Sequence, residues 1–246
     1  MSWWKARFTL GARVPGRPWY QVFWWDAGSL LCLAWMKLFH RLVMVGCEKV
    51  PREGPVIFIS NHQCYYDPVL NGLAVTNRQF TAIAGQHLVR FKPFAWLMKS
   101  YGAVFVSSSA GDKGPLRAAL GELEAGRCVL IYPEGSRSTD GCIGSFQRGM
   151  LLLLRKSNAT VVPMAIEGAF DVWPRTRKVP KLSGRIALIC GEPRSTADVL
   201  RDGPEAAVAN MHQELDALRL EGRALIRERS RGRFPKPGPA DAASPS

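Results

Sequence analysis

The chain has 246 residues and a mass of 27.2 kDa, with 47% hydrophobic and 22% charged residues, a composition that excludes wholesale disorder or a collagen-like fibre and suits one full-sized α/β domain. Thirty-three Lys and Arg against 20 Asp and Glu leave a formal charge of +13, so an anionic partner is expected: nucleic acid, an anionic bilayer or a phosphorylated substrate. The six cysteines are scattered, with no Cys-x-x-Cys pair and no histidine at zinc-ligand spacing, which implies a reducing compartment and no metal site.

In chain order, the first fifteen residues carry Lys5, Arg7 and Arg13 without a continuous apolar core, so a cleaved secretory signal is not expected. From Trp19 to Val45 the chain is rich in Trp, Phe, Leu and Met, but Asp26, Lys37 and Arg41 divide it. The run from Ala27 to Met36 falls well short of the roughly 20 residues that span a bilayer. Two readings stay open. The segment 1–45 lies on a membrane surface, with Trp3, Trp4, Trp19, Trp24, Trp25 and Trp35 at headgroup level and Lys5, Arg7, Arg13 and Arg17 facing anionic lipid; or it is a core helix whose tryptophans cover the main domain.

After Gly46, short β-branched runs alternate with helical segments. Strands are predicted at Val56 to Ser60, Phe80 to Ala84, Ala103 to Ser107, Cys128 to Tyr132, Thr160 to Ile166 and Arg185 to Cys190, and helices at Pro68 to Val75, Pro93 to Ser100, Pro115 to Ala125, Phe146 to Lys156 and Pro204 to about Arg229. This is the pattern of a single α/β domain over residues 46–230, a mostly parallel mixed central sheet flanked by helices and preceded by an interfacial helical segment. The tail, 231–246, turns to Pro, Ala and Ser and is expected to be disordered.

Two stretches that follow strands carry chemistry. In Asn61-His62-Gln63-Cys64-Tyr65-Tyr66-Asp67-Pro68, Asp67 before Pro68 reads as the cap of the next helix. The loop can then fold back so that the Asp67 carboxylate orients His62, leaving its other ring nitrogen as a base with no protein nucleophile beside it. The bland alternative is a histidine satisfying a turn and an aspartate merely capping a helix. In Tyr132-Pro133-Glu134-Gly135-Ser136-Arg137-Ser138, Gly135 frees the backbone, the serines offer hydroxyls and Arg137 a planar fork for a phosphate; as an ordinary turn, the same residues would leave Arg137 in solvent.

These blocks, in this order, resemble the glycerol-phosphate and lysophospholipid acyltransferases, of which the 1-acyl-glycerol-3-phosphate acyltransferases are best known. The family's Asn-His, four residues, Asp block is matched by Asn61, His62 and Asp67; its Phe-Pro-Glu-Gly-Thr-Arg-Ser block is similar to Tyr132–Ser138; its Phe-Lys-x-Gly block resembles Phe146-Gln147-Arg148-Gly149; and a later Val-Pro block is similar to Val161–Ile166. The resemblance implies His62 and Asp67 as catalytic residues and Glu134, Gly135, Ser136, Arg137 and Arg148 as substrate- and phosphate-binding ones. It also implies a lysophospholipid acceptor, an acyl-CoA or acyl carrier protein donor, no cofactor and no metal, and a peripheral or monotopic place on the cytoplasmic face of the cell membrane. One departure bears on the acceptor. Where the family has Gly-x-x-Phe-x-x-Arg, this chain has Gly102-Ala103-Val104-Phe105-Val106-Ser107-Ser108, without the arginine to which the family's grip on phosphate is attributed. Rival readings are a nucleic-acid-binding protein, which lacks any accompanying motif; a Cys-His hydrolase using Cys64; and a catalytically silent lipid-binding relative.

Overall fold

A computed structural model describes residues 18–75, 78–85, 104–106 and 114–244. Trp3 and Trp4, the basic residues before Pro18, the predicted helix Pro93 to Ser100, and Ser107 and Ser108 lie outside the described residues.

The strands are β1 (Val43–Val45), β2 (Val56–Ser60), β3 (Phe80–Gly85), β4 (Val104–Val106), β5 (Cys128–Ile131), β6 (Thr160–Glu167), β7 (Ala187–Cys190) and β8 (Arg194–Ser195), in one sheet of order β1-β7-β6-β2-β5-β3-β4 with β8 also on β6. Pairing is parallel from β6 through β2, β5 and β3 to β4. Strand β7 runs antiparallel to β6, and β1 runs parallel to β7. The central β2, Val-Ile-Phe-Ile-Ser, is buried along its whole length, as a strand covered by helices on both faces must be. Pro163 inside β6 is tolerated because the antiparallel partner changes there: β8 pairs with Thr160 and Val161, β7 from Met164 onward, so no ladder hydrogen bond is asked of the missing N–H.

The helices are α1 (Trp19–His40), α2 (Asp67–Ala74), α3 (Gly114–Glu124), α4 (Gly149–Lys156), α5 (Ala169–Val172), α6 (Thr196–Val199) and α7 (Pro204–Ser230). Two clusters bury the two faces of the sheet. One joins Trp25, Leu33 and Met36 of α1 and Leu70 and Leu73 of α2 to Phe58, Leu130 and Leu188. The other joins Leu123, Leu153, Leu154, Met211 and Leu215 to Ile57, Ile59 and Val129.

Three expectations change. Residues 1–45 were expected to precede the domain, yet one stripe of α1 is in its core and β1 is an edge strand of its sheet. The same helix keeps Trp19, Tyr20, Phe23, Leu31 and Leu38 exposed on its other side, so it is apolar on both. The expected disordered tail instead packs on α7 and includes a 3₁₀ turn at Pro239–Asp241, because arginines of α7 bind its carbonyls and carboxylate. The expected helix from Phe146 begins at Gly149, since the Gln147 N–H is taken by Pro133 O at 2.8 Å.

Candidate active site

The parallel register of β2 with β5, Ile59 opposite Ile131, brings the loops after both strands to one edge of the sheet, where open α/β sheets form their crevices. From the β2 loop, His62 Nδ1 lies 2.7 Å from Asp67 Oδ2. Asp67 is fully buried. It is the first residue of α2 rather than its cap, a position held by Tyr66. Its Oδ2 instead accepts the N–H groups of Gln63 at 2.5 Å and Cys64 at 2.7 Å, and its Oδ1 the Cys64 thiol at 3.3 Å. A single carboxylate thus folds the loop back on itself and orients the imidazole. The His62 side chain is 20% exposed, and among the described residues nothing bonds its Nε2.

The β5 loop clamps this residue from the other side. The His62 N–H donates to Glu134 Oε1 at 2.7 Å, and the His62 carbonyl accepts the Ser138 N–H at 2.7 Å. Tyr132 stacks on the imidazole with centroids 4.1 Å apart and planes 16° off parallel, and its hydroxyl accepts from Asn71 on α2. The Asn61 side chain donates to Ile166 O at 2.9 Å and accepts the Ile166 N–H at 2.7 Å, tying the start of the loop to β6.

Glu134, expected among the phosphate-binding residues, does not face an open cradle. Its Oε2 accepts the Gly144 N–H at 3.0 Å while Oε1 holds His62, and a buried carboxylate would repel phosphate. Burial pushes its pKa from 4.5 up to about 7. Gly135 has φ +69°, and a Cβ there would meet the Gln147 amide at 2.0 Å, so its role is to let the turn close. Gly135 and Ser136 are exposed. The Arg137 guanidinium lies 3.7 Å over the Tyr65 ring, and its Nη1 is buried with no partner among the described residues. Arg148 is exposed at the start of α4.

Sequence reasoning overlooked Tyr132, Gln63 and Glu167 as supports of this site. Gln63 donates to Gly141 O at 3.0 Å and Glu167 Oε2 at 3.3 Å and accepts the Phe170 N–H at 3.1 Å. Cys64 is sealed from solvent, and burial raises its thiol pKa well above the usual range, which leaves no thiolate for a Cys-His hydrolase. Among the described residues no cluster of His, Cys, Asp and Glu could hold a metal ion.

A family model described as Acyltransferase matches residues 41–167. A chloroplastic 1-acyl-sn-glycerol-3-phosphate acyltransferase of Arabidopsis thaliana is 27% identical over 176 residues, 70% of this chain and 49% of that one. A protein of the same activity name from Pseudomonas aeruginosa is 27% identical over 76% of this chain and 70% of its own length. A lyso-ornithine lipid O-acyltransferase of the same organism is 29% identical over 51% of this chain and 48% of its own. The chain thus spans about half the length of the first of these relatives. A crystal structure of the 1-acyl-sn-glycerophosphate acyltransferase of Thermotoga maritima superposes with a TM-score of 0.69 at 23% identity, covering 83% of this chain and 82% of that one, a likeness of fold.

Proposed function

The chain belongs to the acyltransferase family, whose model spans residues 41–167, and we propose that within it this protein moves a fatty acyl group from an acyl thioester to the hydroxyl of a lysophospholipid, with 1-acyl-glycerol-3-phosphate as the first acceptor. The observation that carries this reading is the 2.7 Å contact of His62 Nδ1 with the buried Asp67, on a side chain whose remaining nitrogen is open to an incoming group. His62 Nε2 takes the hydroxyl proton as the acceptor oxygen bonds the thioester carbonyl carbon. The tetrahedral intermediate then expels the thiolate, and the imidazolium returns the proton to sulfur. A thiol of pKa about 8.5 leaves without acid help, whereas an alcohol must lose its proton to attack, so one base on the attacking side suffices. The Arg137 fork, stacked on Tyr65 with an unpartnered N–H, suits the acceptor phosphate.

A lysophospholipid acceptor resides at a bilayer and a long acyl chain partitions to one, and the exposed apolar side of α1 (Trp19 75%, Leu31 73% and Leu38 73% exposed) supports a protein seated on a membrane surface, the proposed side being the cytoplasmic face. No helix among the described residues is long and apolar enough to cross a membrane. The test is release of free thiol from acyl-CoA or acyl carrier protein in the presence of lysophosphatidate vesicles. Replacing His62 by Ala is expected to lower turnover by about 10²- to 10⁴-fold, and turnover within a few-fold of wild type would sink the reading. A second acceptor is favoured by the lyso-ornithine lipid relative together with Ser108 where the family has arginine. Parallel assays on lyso-ornithine lipid separate the two, and thiol release on either excludes a silent lipid-binding protein.

A further inference from the structure

The tail is held at Ser244 and Asp241 and by the carbonyls of Ala240 and Ala242. The Ser244 N–H donates to Asp216 Oδ2 and its hydroxyl to Asp216 Oδ1, both at 2.8 Å, while the hydroxyl oxygen accepts the Ile143 N–H at 2.9 Å. Gly144, the next residue, donates to Glu134 Oε2, and Glu134 Oε1 accepts the His62 N–H. An unbroken route therefore runs from the tail to the backbone of His62. A second begins at Asp241, which accepts from Arg223 Nε at 2.6 Å and from Arg227 at 2.5 Å. Arg223 also bonds Glu167, and Glu167 accepts from Gln63, the neighbour of His62.

Apolar burial does not explain why this segment is bound. Around Asp241 it is Pro, Ala and Ser, and burying Ala240 contributes little. The attachment is polar and made to buried cations. Arg219, fully buried, gives Nη1 to Ala240 O at 2.7 Å, Nη2 to Ala242 O at 3.1 Å and Nε to Asp216 at 2.8 Å. Without the tail, two of its donor groups would lose their hydrogen-bond acceptors, leaving Nη1 only the Glu167 carboxylate at 3.7 Å, a costly arrangement. The gripped segment, 140–144, also packs against the tail: a Cβ on Gly141 would stand at ordinary van der Waals distance from Phe170, 3.4 Å, and from Ala240, 3.7 Å.

We propose that residues 240–244 are a strap that positions the catalytic loop, with Ser244 acting through Ile143, Gly144 and Glu134 and Asp241 through Arg223, Glu167 and Gln63, neither touching substrate. Only the kinetic arm of the test rests on the acyl-transfer reading. The full-length chain is compared with Ser244→Ala, Ser244→Thr and Asp241→Asn. Amide hydrogen exchange without substrate is expected to quicken about tenfold in residues 61–66 and 141–144 of Ser244→Ala and in 61–66 of Asp241→Asn, with the amides of β2 and β6 unchanged and Ser244→Thr restoring the wild-type rate. In the kinetic arm, kcat is expected to fall about tenfold to a hundredfold with KM within about twofold, again recovering in Ser244→Thr. Exchange at 61–66 that stays unchanged in both variants overturns the strap, as does a uniform rise over the whole sheet. Local exchange that quickens while an active protein keeps its kcat overturns the positioning role. A wild-type chain inert toward every lysolipid, with the local exchange response intact, sinks the activity and leaves the strap standing.

Discussion

At the scale of single residues, Asp67 has the narrowest tolerance. It is fully buried and accepts from the imidazole and from two backbone N–H groups through one oxygen. Asp67→Asn keeps the shape, and its amide oxygen can still accept where Oδ2 does, but the negative charge that steadies the imidazole once it is protonated is gone and the amide N–H₂ is left where Oδ1 accepts the Cys64 thiol. Turnover is expected to fall about 10²-fold or more and stability by about 1–3 kcal/mol, read by thiol release and by urea denaturation. Glu134 adds a pH dependence. Burial raises its pKa from 4.5 to about 7, so the folded chain keeps a proton there over a range in which the unfolded chain has lost it. That contribution to stability is complete below about 4.5 and gone once the pH has risen through about 7, a change of at most about 3 kcal/mol. The stability difference between wild type and Glu134→Gln is therefore expected to shift by up to that amount between pH 4 and pH 8, and a constant difference would contradict it. The His62–Asp67 pair was legible because both sit within five residues, on a loop that ends at a proline. The role of Glu134 was not, since its partners are backbone amides of His62 and Gly144 that only the folded chain brings to it.

At the scale of elements, α1 explains why two readings of one segment could both stand. Trp25, Ser29, Leu33, Met36 and His40 recur at helical spacing and are buried, while Tyr20, Trp24, Leu31, Trp35 and Leu38 recur on the opposite side and are exposed. With both stripes apolar, periodicity offers no contrast by which to tell a core face from an outer one. The exposed stripe supplies the bilayer contact proposed above, and burying one leucine is worth about 1.5–3 kcal/mol. Leu31→Glu or Leu38→Glu is accordingly expected to weaken partition onto phospholipid vesicles by about tenfold or more in a sedimentation assay. Turnover on a short-chain, water-soluble acceptor should persist, and vesicle binding equal to wild type would remove α1 as the contact. The strands were easier to read. Their β-branched runs were bounded by Gly and Pro, and Val56 to Ser60 came out with the same limits in the fold. The tail was opaque for a different reason. What holds it is a set of arginines on α7, and a chain with few apolar residues carries no periodic signal of being held by partners distant in sequence.

At the scale of the whole molecule, the sheet decides where the charge of +13 acts. Strands β2, β5 and β6 end at the edge that carries His62, and β7, antiparallel to β6, begins there, with Ala187 opposite Glu167. Strand β1 is parallel to β7, so Arg41 before it and Arg185 before β7 come to that edge beside each other, the Ile186 N–H bonding the His40 carbonyl. The segment after α7 adds Arg233, whose neighbour Phe234 places its ring 5.9 Å from the Arg185 guanidinium. Burial, then Arg41 and Arg233, hold the Arg185 pKa below its usual range, and no ion pair among the described residues neutralises these three cations. Cations gathered without a carboxylate repel one another and lower the stability of the free protein, a disadvantage that an anionic surface would relieve. Their position follows the end of α1, so a bilayer that receives the apolar stripe meets them as well. Each such arginine is worth about 1 kcal/mol near an anionic membrane, which is about fivefold in partition. Arg185→Gln is thus expected to weaken binding to vesicles rich in anionic lipid about fivefold at low salt, with the difference shrinking as ionic strength rises and the Debye length falls to about 8 Å. On purely zwitterionic vesicles the same variant should bind as wild type does, and an equal loss on both lipids would assign Arg185 to the packing of the domain edge instead of to the bilayer.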